Sequence, residues 1–387
     1  MVPFTHLHVH SQYSILDGAA SISALVKKAK NDKMKAVALT DHGMMLGVKE
    51  FHQVCNSNDL KPIIGCETYV ASRTIEDKKD KIDRSGHHLI LLAKNKTGYK
   101  NLIKLISIAT TKGFYYKPRI DKKLLVEHRE GLIASSSCLG GEIPNLLMSN
   151  YIKETEDAIL WYKNIFGDDY YLELMRHPSE MAQQREDVYD KQVQVNKLIL
   201  PLAKKHGVKV IATNDVHFIN AEDADAHDLL ICLNTGRDID DPTRMRYTKQ
   251  EWFKSQKEMN ELFADIPEAL EHTEEIVQKV ENYELDSAPI MPFFPIPAEF
   301  GTEEEFRKEF PEEALKEEFG ESYERMGDYE KVLRVKREAA YLRHLAFKGA
   351  EERYGNPVPE DVAKRLEFEL NTIKQMGFPG YFLIVQD

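Results

Sequence analysis

Two periodicities of apolar and polar residues alternate along the chain up to residue 218. Short runs rich in apolar and β-branched residues, which predict strands, lie at 5–11, 36–43, 61–70, 87–95, 131–137, 170–177 and 208–218. Segments with apolar residues three and four positions apart, which predict helices, cover 21–34, 99–112, 154–166 and 187–206. The last of these helices should end at Gly207, because glycine readily adopts the left-handed conformation of a helix C-terminus.

The order of these elements predicts an α/β fold. Strands that alternate with helices form a parallel sheet with helices outside it, either closed as a barrel or open and doubly wound. The second run ends in Thr-Asp-His at 40–42, and the last ends in Asp-Val-His at 215–217. Because β/α barrels gather their active-site residues at the carboxyl ends of the strands, we predict a barrel over residues 1–285.

The pattern changes after residue 285. Four prolines within 285–299 predict an extended linker, which we place at 286–300. Residues 301–387 begin with a strongly acidic stretch, are mainly helical in periodicity and end on an apolar run. Such a run needs packing partners, so we expect this segment to be incomplete and the chain to be a fragment.

Composition and charge narrow the class of protein. Hydrophobic residues make up 42% and charged residues 30% of the chain, and no apolar run approaches the roughly 20 residues that span a bilayer. The first residues lack the features of a signal peptide, so we expect a cytoplasmic protein without membrane contact. Four cysteines without CxxC spacing argue against a zinc ribbon. The net charge of -12 repels nucleic acid, so any DNA contact must be local or assisted by metal ions.

Nine residues of metal-binding type fall in or just after the predicted strands. His8 and His10 alternate along the first run and so share a face, as His6 does. The candidate ligands are His8, His10, Asp17, His42, Glu67, His88, Cys138, Asp215 and His217. Zinc, manganese and iron all accept such a mixture of imidazole, carboxylate and thiolate. Nine ligands are too many for one ion, so we predict two or three divalent ions.

Each of these residues also has an ordinary structural explanation. A lone HxH pair is more often a coincidence than a site, Cys138 suits a small buried hydrophobe, and His88 suits a core histidine. A metal centre is favoured because the motifs of the first, second and last runs fall at the same end of the inferred barrel. Closely spaced metal ions activate water and stabilise phosphoryl charge, which indicates hydrolysis of a phosphate ester.

A second candidate feature interleaves aromatic and basic residues from Phe114 to Arg119. This composition suits base stacking and phosphate contacts, and Lys117 is a candidate for the latter. A loop whose aromatic side chains cover the core explains the same pattern. His177 ends the sixth run, so it either contacts substrate, orients a ligand or is a solvated strand end.

Several motifs together carry a resemblance to a known family. In HLHVHSQYS, ALTDHG, GCETYV, HHLILLAKN, SSSCLGGEIP and ATNDVHF, the chain resembles the polymerase-and-histidinol-phosphatase (PHP) domain. More narrowly, it is similar to that domain at the N-terminus of bacterial replicative DNA polymerase III alpha subunits. The stretches at 113–121, 341–355 and 365–387 are typical of those polymerases, and the resemblance covers the whole chain.

The resemblance implies a distorted seven-stranded barrel with a trinuclear metal site built from the nine residues above. It implies a 3′–5′ exonuclease acting on a DNA 3′ end, for which we assign the catalytic role to His8, His10, Asp215 and His217. It also favours a phosphate-binding role for Arg119. Cys138 stands where relatives outside the polymerases often have histidine, so it is the least secure ligand.

The resemblance further implies that the polymerase's catalytic aspartates, which use Mg²⁺, lie beyond residue 387. The full-length protein would then be a DNA-directed DNA polymerase, with 301–387 the start of its palm and thumb region. Expected partners are the sliding clamp and a separate proofreading subunit. Two alternatives stay open for the barrel: a metal-stabilised docking scaffold without activity, and a small-molecule phosphatase of the histidinol-phosphate type.

Overall fold

Seven strands form one sheet in the computed structural model, which describes residues 1–84, 86–287 and 293–387. The strands are β1 (Ala36–Leu39), β2 (Lys61–Val70), β3 (His87–Ala93), β4 (Arg119–Ile120), β5 (Leu132–Ser135), β6 (Tyr170–Met175) and β7 (Lys209–Thr213). Their order is β1-β2-β3-β5-β6-β7, and the short β4 pairs with β2. The sequence did not predict β4, because it has only two residues and begins at the end of the aromatic and basic stretch.

The expectation of a wholly parallel sheet is wrong at β3. This strand runs antiparallel to both β2 and β5, whereas β1–β2, β5–β6 and β6–β7 are parallel. The chain between β2 and β3 contains no helix among its described residues, and without a crossover helix the chain reverses direction beside the preceding strand. As a consequence His88 lies at the start of its strand, whereas Glu67 lies in the second half of β2 and His42, Cys138 and Asp215 follow the ends of β1, β5 and β7.

The segment at 5–11 closes the sheet into a barrel. It is extended and pairs on both sides: the N–H of Thr40 donates to the carbonyl of Val9 (2.8 Å), and the N–H of Val216 donates to the carbonyl of His8 (3.1 Å). The hydroxyl of Thr40 adds a bond from the N–H of Val9 at 2.8 Å. This segment therefore links β1 to the end of β7, and the predicted α/β barrel is confirmed as a distorted, mixed one.

The inward-facing side chains of six strands are apolar at one end of the strand and polar at the other. Residues from six strands and from helix α11 (Glu268–Lys279) form one apolar cluster, which includes Ala38, Ile63, Ile90, Ile133, Tyr171, Ile211 and Ile276. Because side chains on one face recur every second residue, the polar residues further along the same faces also point inward. These are Thr40, Glu67, His88, Ser135, Glu173 and Thr213. The barrel interior is thus apolar at one end, where α11 packs, and polar at the other.

Helices cover the outside of the barrel, and a large apolar cluster fills the layer between them and the strands. The predicted helices are present with small shifts of their ends, and Gly207 ends the fourth with a φ of 60°. Among the described residues, none of the helices has the length and apolar character needed to cross a membrane. With α11, the helices up to residue 286 are α1 (Ile22–Asn31), α2 (Val48–Asn56), α3 (Lys96–Thr111), α4 (Lys122–Glu127), α5 (Glu142–Met148), α6 (Ile152–Phe166), α7 (Ala182–Gln184), α8 (Asp190–His206), α9 (Ala224–Thr235) and α10 (Gln256–Leu262).

A second unit comprises Ser287–Asp387, and the barrel unit comprises Met1–Asp286. The middle of the predicted linker, 288–292, lies outside the described residues. The second unit has its own small apolar core, centred on Leu315, Phe319 and Val332, and its mainly helical character is confirmed. Its helices are α12 (Glu303–Glu309), α13 (Glu312–Phe319), α14 (Glu321–Met326), α15 (Tyr329–Tyr354), α16 (Glu360–Met376) and α17 (Pro379–Gln386).

Barrel closure predicts the effect of Thr40→Val. The substitution keeps the side-chain volume but removes the two hydrogen bonds that the Thr40 hydroxyl makes with Val9. We expect the free energy of unfolding to fall by about 1–3 kcal/mol, since the buried groups of Val9 lose partners. Urea denaturation followed by the fluorescence of Trp161 and Trp252, both in the barrel unit, measures this. Thr97→Val, at an exposed position of α3, is the control; an equal effect there would contradict the role of closure.

Candidate metal centre

All nine candidate ligands meet at the polar end of the barrel, around the carboxylate of Glu67. Glu67 is fully buried on β2. Its Oε2 lies 2.6 Å from Nδ1 of His42, and its Oε1 lies 2.8 Å from Nδ1 of His88 and 3.4 Å from Nε2 of His8. The hydroxyl of Ser137 donates to the same Oε1 at 2.7 Å. One carboxylate therefore connects residues from four separate parts of the barrel wall.

Asp215 forms the second anionic point of the cluster. Its Oδ1 lies 3.1 Å from Nε2 of His8 and 3.2 Å from Nε2 of His10. The alternating histidines of the closing segment thus both face this carboxylate, as their spacing predicts. Nδ1 of His217 lies 2.8 Å from the backbone carbonyl of Asp215, which leaves Nε2 of that ring directed elsewhere.

Asp17 lies on the outer side of the cluster, in the loop after the closing segment. Its Oδ2 is 3.1 Å from Nε2 of His42, and its Oδ1 is 3.9 Å from Nε2 of His217. The hydroxyl of Tyr247 donates to Oδ1 of Asp17 at 3.0 Å and lies 3.3 Å from Nε2 of His217. Tyr247 comes from an irregular segment, and no sequence signal pointed to it.

Cys138 joins the cluster beside β3. Its Sγ lies 3.5 Å from Nδ1 of His88 and 3.7 Å from Oε1 of Glu67. The neighbouring Gly140 packs directly on the imidazole of His88, where a Cβ would lie 2.9 Å from Nδ1. Gly140 is therefore needed for the close approach of this loop to the ring.

The donor atoms fit divalent cations. Three sets of three residues each have their donor atoms within 4.8 Å of one another. The sets are His10, His42 and His217; His8, His10 and Glu67; and Glu67, His88 and Cys138. Five buried atoms of the cluster each lie 2.6–3.2 Å from another of the five but make no hydrogen bond of good geometry to the described residues: Nε2 of His8 and of His10, Nδ1 of His42, Oε2 of Glu67 and Oδ1 of Asp215. Burying such atoms without good hydrogen bonds is costly, and divalent cations bound between them would satisfy them. The cluster is thus compatible with metal binding.

The charges of the cluster depend on one another. Burial opposes ionisation of Glu67, but His88 and His42 hold the pKa of its carboxyl well below the usual range. Burial alone would lower the pKa of His42, yet Glu67 and Asp17 raise it to about 9. Burial and the neighbouring His42 lower the pKa of His10 to about 3. Protonated imidazoles and divalent cations thus compete for the same buried carboxylates.

Three residues at or directly before candidate ligands adopt left-handed backbone conformations, which residues other than glycine rarely take. Leu16 has a φ of 62°, Ser137 a φ of 61° and Asp215 a φ of 48°. Leu16 directly precedes Asp17, and Ser137 directly precedes Cys138. Such conformations cost about 1–3 kcal/mol each and concentrate at functional sites. The strained backbone in these three loops therefore lowers the stability of the fold, and it lies where the loops direct Asp17, Cys138 and Asp215 into the cluster.

Glu173, which sequence reasoning missed, holds His8 in place from the inward face of β6. Its Oε2 accepts from Nδ1 of His8 at 3.0 Å and from the hydroxyl of Thr213 at 2.7 Å, and its Oε1 accepts from the hydroxyl of Ser135. With a proton on Nδ1, the lone pair of Nε2 faces the cluster. A signal was present: Glu173 is a charged residue between two leucines of an apolar strand.

Asp41 plays a corresponding role for His10. The hydroxyl of Ser14 donates to Oδ1 of Asp41 at 2.7 Å and contacts Nδ1 of His10 at 3.0 Å. Asp41 also accepts from the N–H of Ser11 at 2.7 Å. The carboxylate next to His42 in the sequence therefore orients a different histidine.

The predicted phosphate contact of Arg119 is wrong. Its guanidinium is fully buried and donates to the backbone carbonyls of Gly113, Asp77, Asp83 and Ile75 at 2.9–3.2 Å. These bonds tie the loop after β2 to the loop before β4. A fully buried guanidinium that gives four of its five N–H donors to backbone carbonyls is not placed to contact a substrate.

Of the three alternatives for His177, its position disagrees with a substrate contact and with a solvated strand end, and agrees with a supporting role. The side chain is buried, with Nε2 3.0 Å from the carbonyl of Asn214 and Nδ1 3.2 Å from Nε2 of Gln192. His177 therefore supports the loop that carries Asp215. His6 is likewise buried, with Nε2 2.7 Å from the carbonyl of Lys254, and it stays outside the cluster.

A cavity of 610 Å³ lies beside the cluster, and Asp17 and His42 form part of its lining. Lys117 lines it as well, with its ammonium 5.2 Å from the centre of the Tyr69 ring. Most of the remaining lining is apolar. The cavity connects the candidate ligands with solvent. The ammonium of Lys117 is a cationic group in its lining.

Comparison with known proteins identifies the class of this fold and site. Residues 6–177 match the family model described as the PHP domain, and residues 340–387 match that described as the bacterial DNA polymerase III alpha NTPase domain. Residues 6–177 of the barrel are thus similar to the PHP domain. The PHP match includes the candidate ligands up to Cys138 but not Asp215 and His217, which lie beyond its end.

The whole chain is homologous to bacterial DNA polymerase III alpha subunits. It is 41% identical to the subunit of Borreliella burgdorferi, covering 99% of this chain and 30% of that protein, and 38% identical to that of Treponema pallidum, covering 99% and 29%. The chain therefore spans about 30% of the length of these relatives. A two-domain Bacteroides vulgatus protein described as containing a PHP-like metal-dependent phosphoesterase aligns with a TM-score of 0.32 and 12% identity, over 72% of this chain and 69% of its own.

The bond between Glu173 and His8 predicts the effect of Glu173→Gln. An amide is a weaker acceptor for Nδ1–H, so the tautomer with a free Nε2 is less favoured. We expect affinity for Zn²⁺ or Mn²⁺ to fall about 10–100-fold. Competition with a chromophoric chelator measures this affinity. Glu156→Gln, which alters a surface ion pair with Lys205, is the matched control, and equal affinity in both variants would remove the positioning role.

The revised role of Arg119 predicts that Arg119→Ala acts on stability. Four buried carbonyls lose a charged donor, so we expect the free energy of unfolding to fall by about 3 kcal/mol. Lys117→Ala, at an exposed position of the same stretch, should leave stability within about 0.5 kcal/mol. Denaturation followed by tryptophan fluorescence compares the two. An Arg119→Ala variant of unchanged stability but weaker DNA binding would restore the original prediction.

Proposed function

We propose that the PHP barrel is a metal-dependent phosphodiesterase that removes nucleotides from a DNA 3′ end. The observation that carries the proposal is the set of five buried ligand-type atoms that converge at the centre of the cluster without hydrogen bonds of good geometry. Their convergence next to an open cavity favours a site that processes a ligand over a closed structural metal site.

The chain's residues have distinct roles in this proposal. His8, His10, Asp215 and His217 are the catalytic residues, which would hold divalent ions together with Glu67. Divalent ions, whether zinc, manganese or iron, supply Lewis acidity, which activates water near neutral pH and offsets phosphoryl charge.

The side of the cluster that faces the cavity determines where a phosphate can bind. Asp17 and His42 belong both to the cluster and to the cavity lining, and Lys117 lines the same cavity. In a chain of net charge -12, this lysine and the bound ions provide the local positive potential that a phosphate needs. Lys117 therefore takes the phosphate role that the sequence had divided between two residues.

The longer protein is, in this proposal, a bacterial replicative DNA-directed DNA polymerase. Homology along the whole chain to polymerase III alpha subunits supports it. Its polymerase aspartates and their Mg²⁺ would lie outside the present chain. Its partners would include DNA, a sliding clamp and a proofreading subunit, in the bacterial cytoplasm.

Asp215→Asn tests the nuclease. The amide keeps the shape of the side chain but removes the charge that His8 and His10 share, so metal-dependent turnover should fall to background. The measurement is release of nucleotides from a 3′-labelled single strand by the 387-residue chain with Mn²⁺ or Zn²⁺. Asp225→Asn, at an exposed position of α9, is the matched control and should retain turnover.

Other outcomes would contradict the proposal. Metals bound in stoichiometric amounts without nucleotide release, and a melting temperature that falls on chelation, would indicate a scaffold. Hydrolysis of a small phosphomonoester without turnover of DNA would indicate a small-molecule phosphatase.

A further inference from the structure

We infer that the cavity beside the metal centre is a nucleobase site, in which Phe114 stacks on the terminal base of the strand. The inference rests on the proposed function, because it assigns the cavity to the nucleotide whose phosphate lies at the metals. The ligand class is a nucleoside 5′-monophosphate, either free or at the end of a strand.

The first argument is the exposure of apolar side chains around the cavity. Ile15, Leu46 and Phe114 line it with 62%, 65% and 54% of their surfaces exposed. They come from three loops that are distant in sequence: the loop carrying Asp17, the loop after His42, and the loop before β4. Apolar side chains from separate loops that converge on one cavity mark a ligand site.

The second argument is the division of the cavity into two chemistries. Asp17, His42 and Lys117 provide a charged side next to the metal centre, whereas the remaining wall is mainly apolar. A nucleotide has the same division, with a charged phosphate joined to a flat ring of low polarity. A free phosphate or a sugar phosphate would leave the apolar wall without a partner.

The third argument is size and continuity. The volume of 610 Å³ falls in the range of about 300–1,000 Å³ that holds a small organic ligand. Because Asp17 and His42 belong to both the cavity wall and the candidate metal cluster, a ligand in the cavity is continuous with the reacting position. The base therefore occupies the cavity while its phosphate faces the ligands.

The fourth argument separates Phe114 from the other aromatic residues of its stretch. Tyr116 is equally exposed at 54% but does not line the cavity, and the guanidinium of Arg84 lies 4.5 Å from the centre of its ring. Tyr115 stacks edge-on against Tyr116. Of these three rings, only Phe114 is available to a base in the cavity.

The test compares two ligands that share a phosphate and differ in the base. Isothermal titration of the metal-loaded 387-residue chain with dAMP and with deoxyribose 5-phosphate measures binding without turnover. Since stacking of a base on an aromatic side chain is a substantial part of single-strand binding, dAMP should bind about tenfold more tightly. Phe114→Ala should remove this difference, and Phe114→Tyr should retain it.

Tyr116→Ala is the matched control, because it removes an equally exposed aromatic ring outside the cavity and should leave dAMP affinity unchanged. Equal affinities for the two ligands in the unmodified chain, or an equal loss in Phe114→Ala and Tyr116→Ala, would overturn the base site. Either result could accompany normal metal-dependent nuclease activity. Base-dependent binding without any nuclease activity would instead overturn the proposed function and leave the base site standing.

Discussion

The buried carboxylate of Glu67 is the constraint on which the rest of the polar end depends. A carboxylate inside a barrel is stable only if cations or donors surround it. His42, His88 and Ser137 contact it at 2.6–2.8 Å, and each comes from a different strand or loop. Closing the barrel and assembling the cluster are therefore parts of one event, since the partners of Glu67 come together only when all strands are in register.

The barrel meets this constraint by separating two chemistries along the same inward faces. The apolar cluster that includes Ile63, Ile90 and Ile211 supplies hydrophobic stabilisation at one end. Two or four residues away along the same strands, towards the other end of the barrel, the same inward faces carry Glu67, His88 and Thr213. Loops with left-handed residues complete the polar end, so the strain is located where the candidate ligands are.

Charged residues near the site show why chemistry cannot be assigned from residue type alone. Arg119 and Lys117 lie two positions apart in a basic and aromatic stretch, and either suits a phosphate. The structure commits Arg119 to four backbone carbonyls and leaves Lys117 at the cavity. Glu173 shows the reverse case: it is absent from every recognisable motif, yet its hydrogen bond determines which nitrogen of His8 faces the cluster.

The sequence by itself determined the alternation of strands and helices, the mainly helical second unit and the nine residues that converge at one end of the barrel. These follow from local periodicity and from residue types placed in and after strands, which a linear chain records directly. Only the tertiary structure decided the direction of β3, the burial of Arg119 and His177, and the partnership of Asp41 with Ser14 and His10. Those depend on which distant backbone groups and side chains become neighbours when the barrel closes, and contacts between distant segments leave no periodic signal in the sequence.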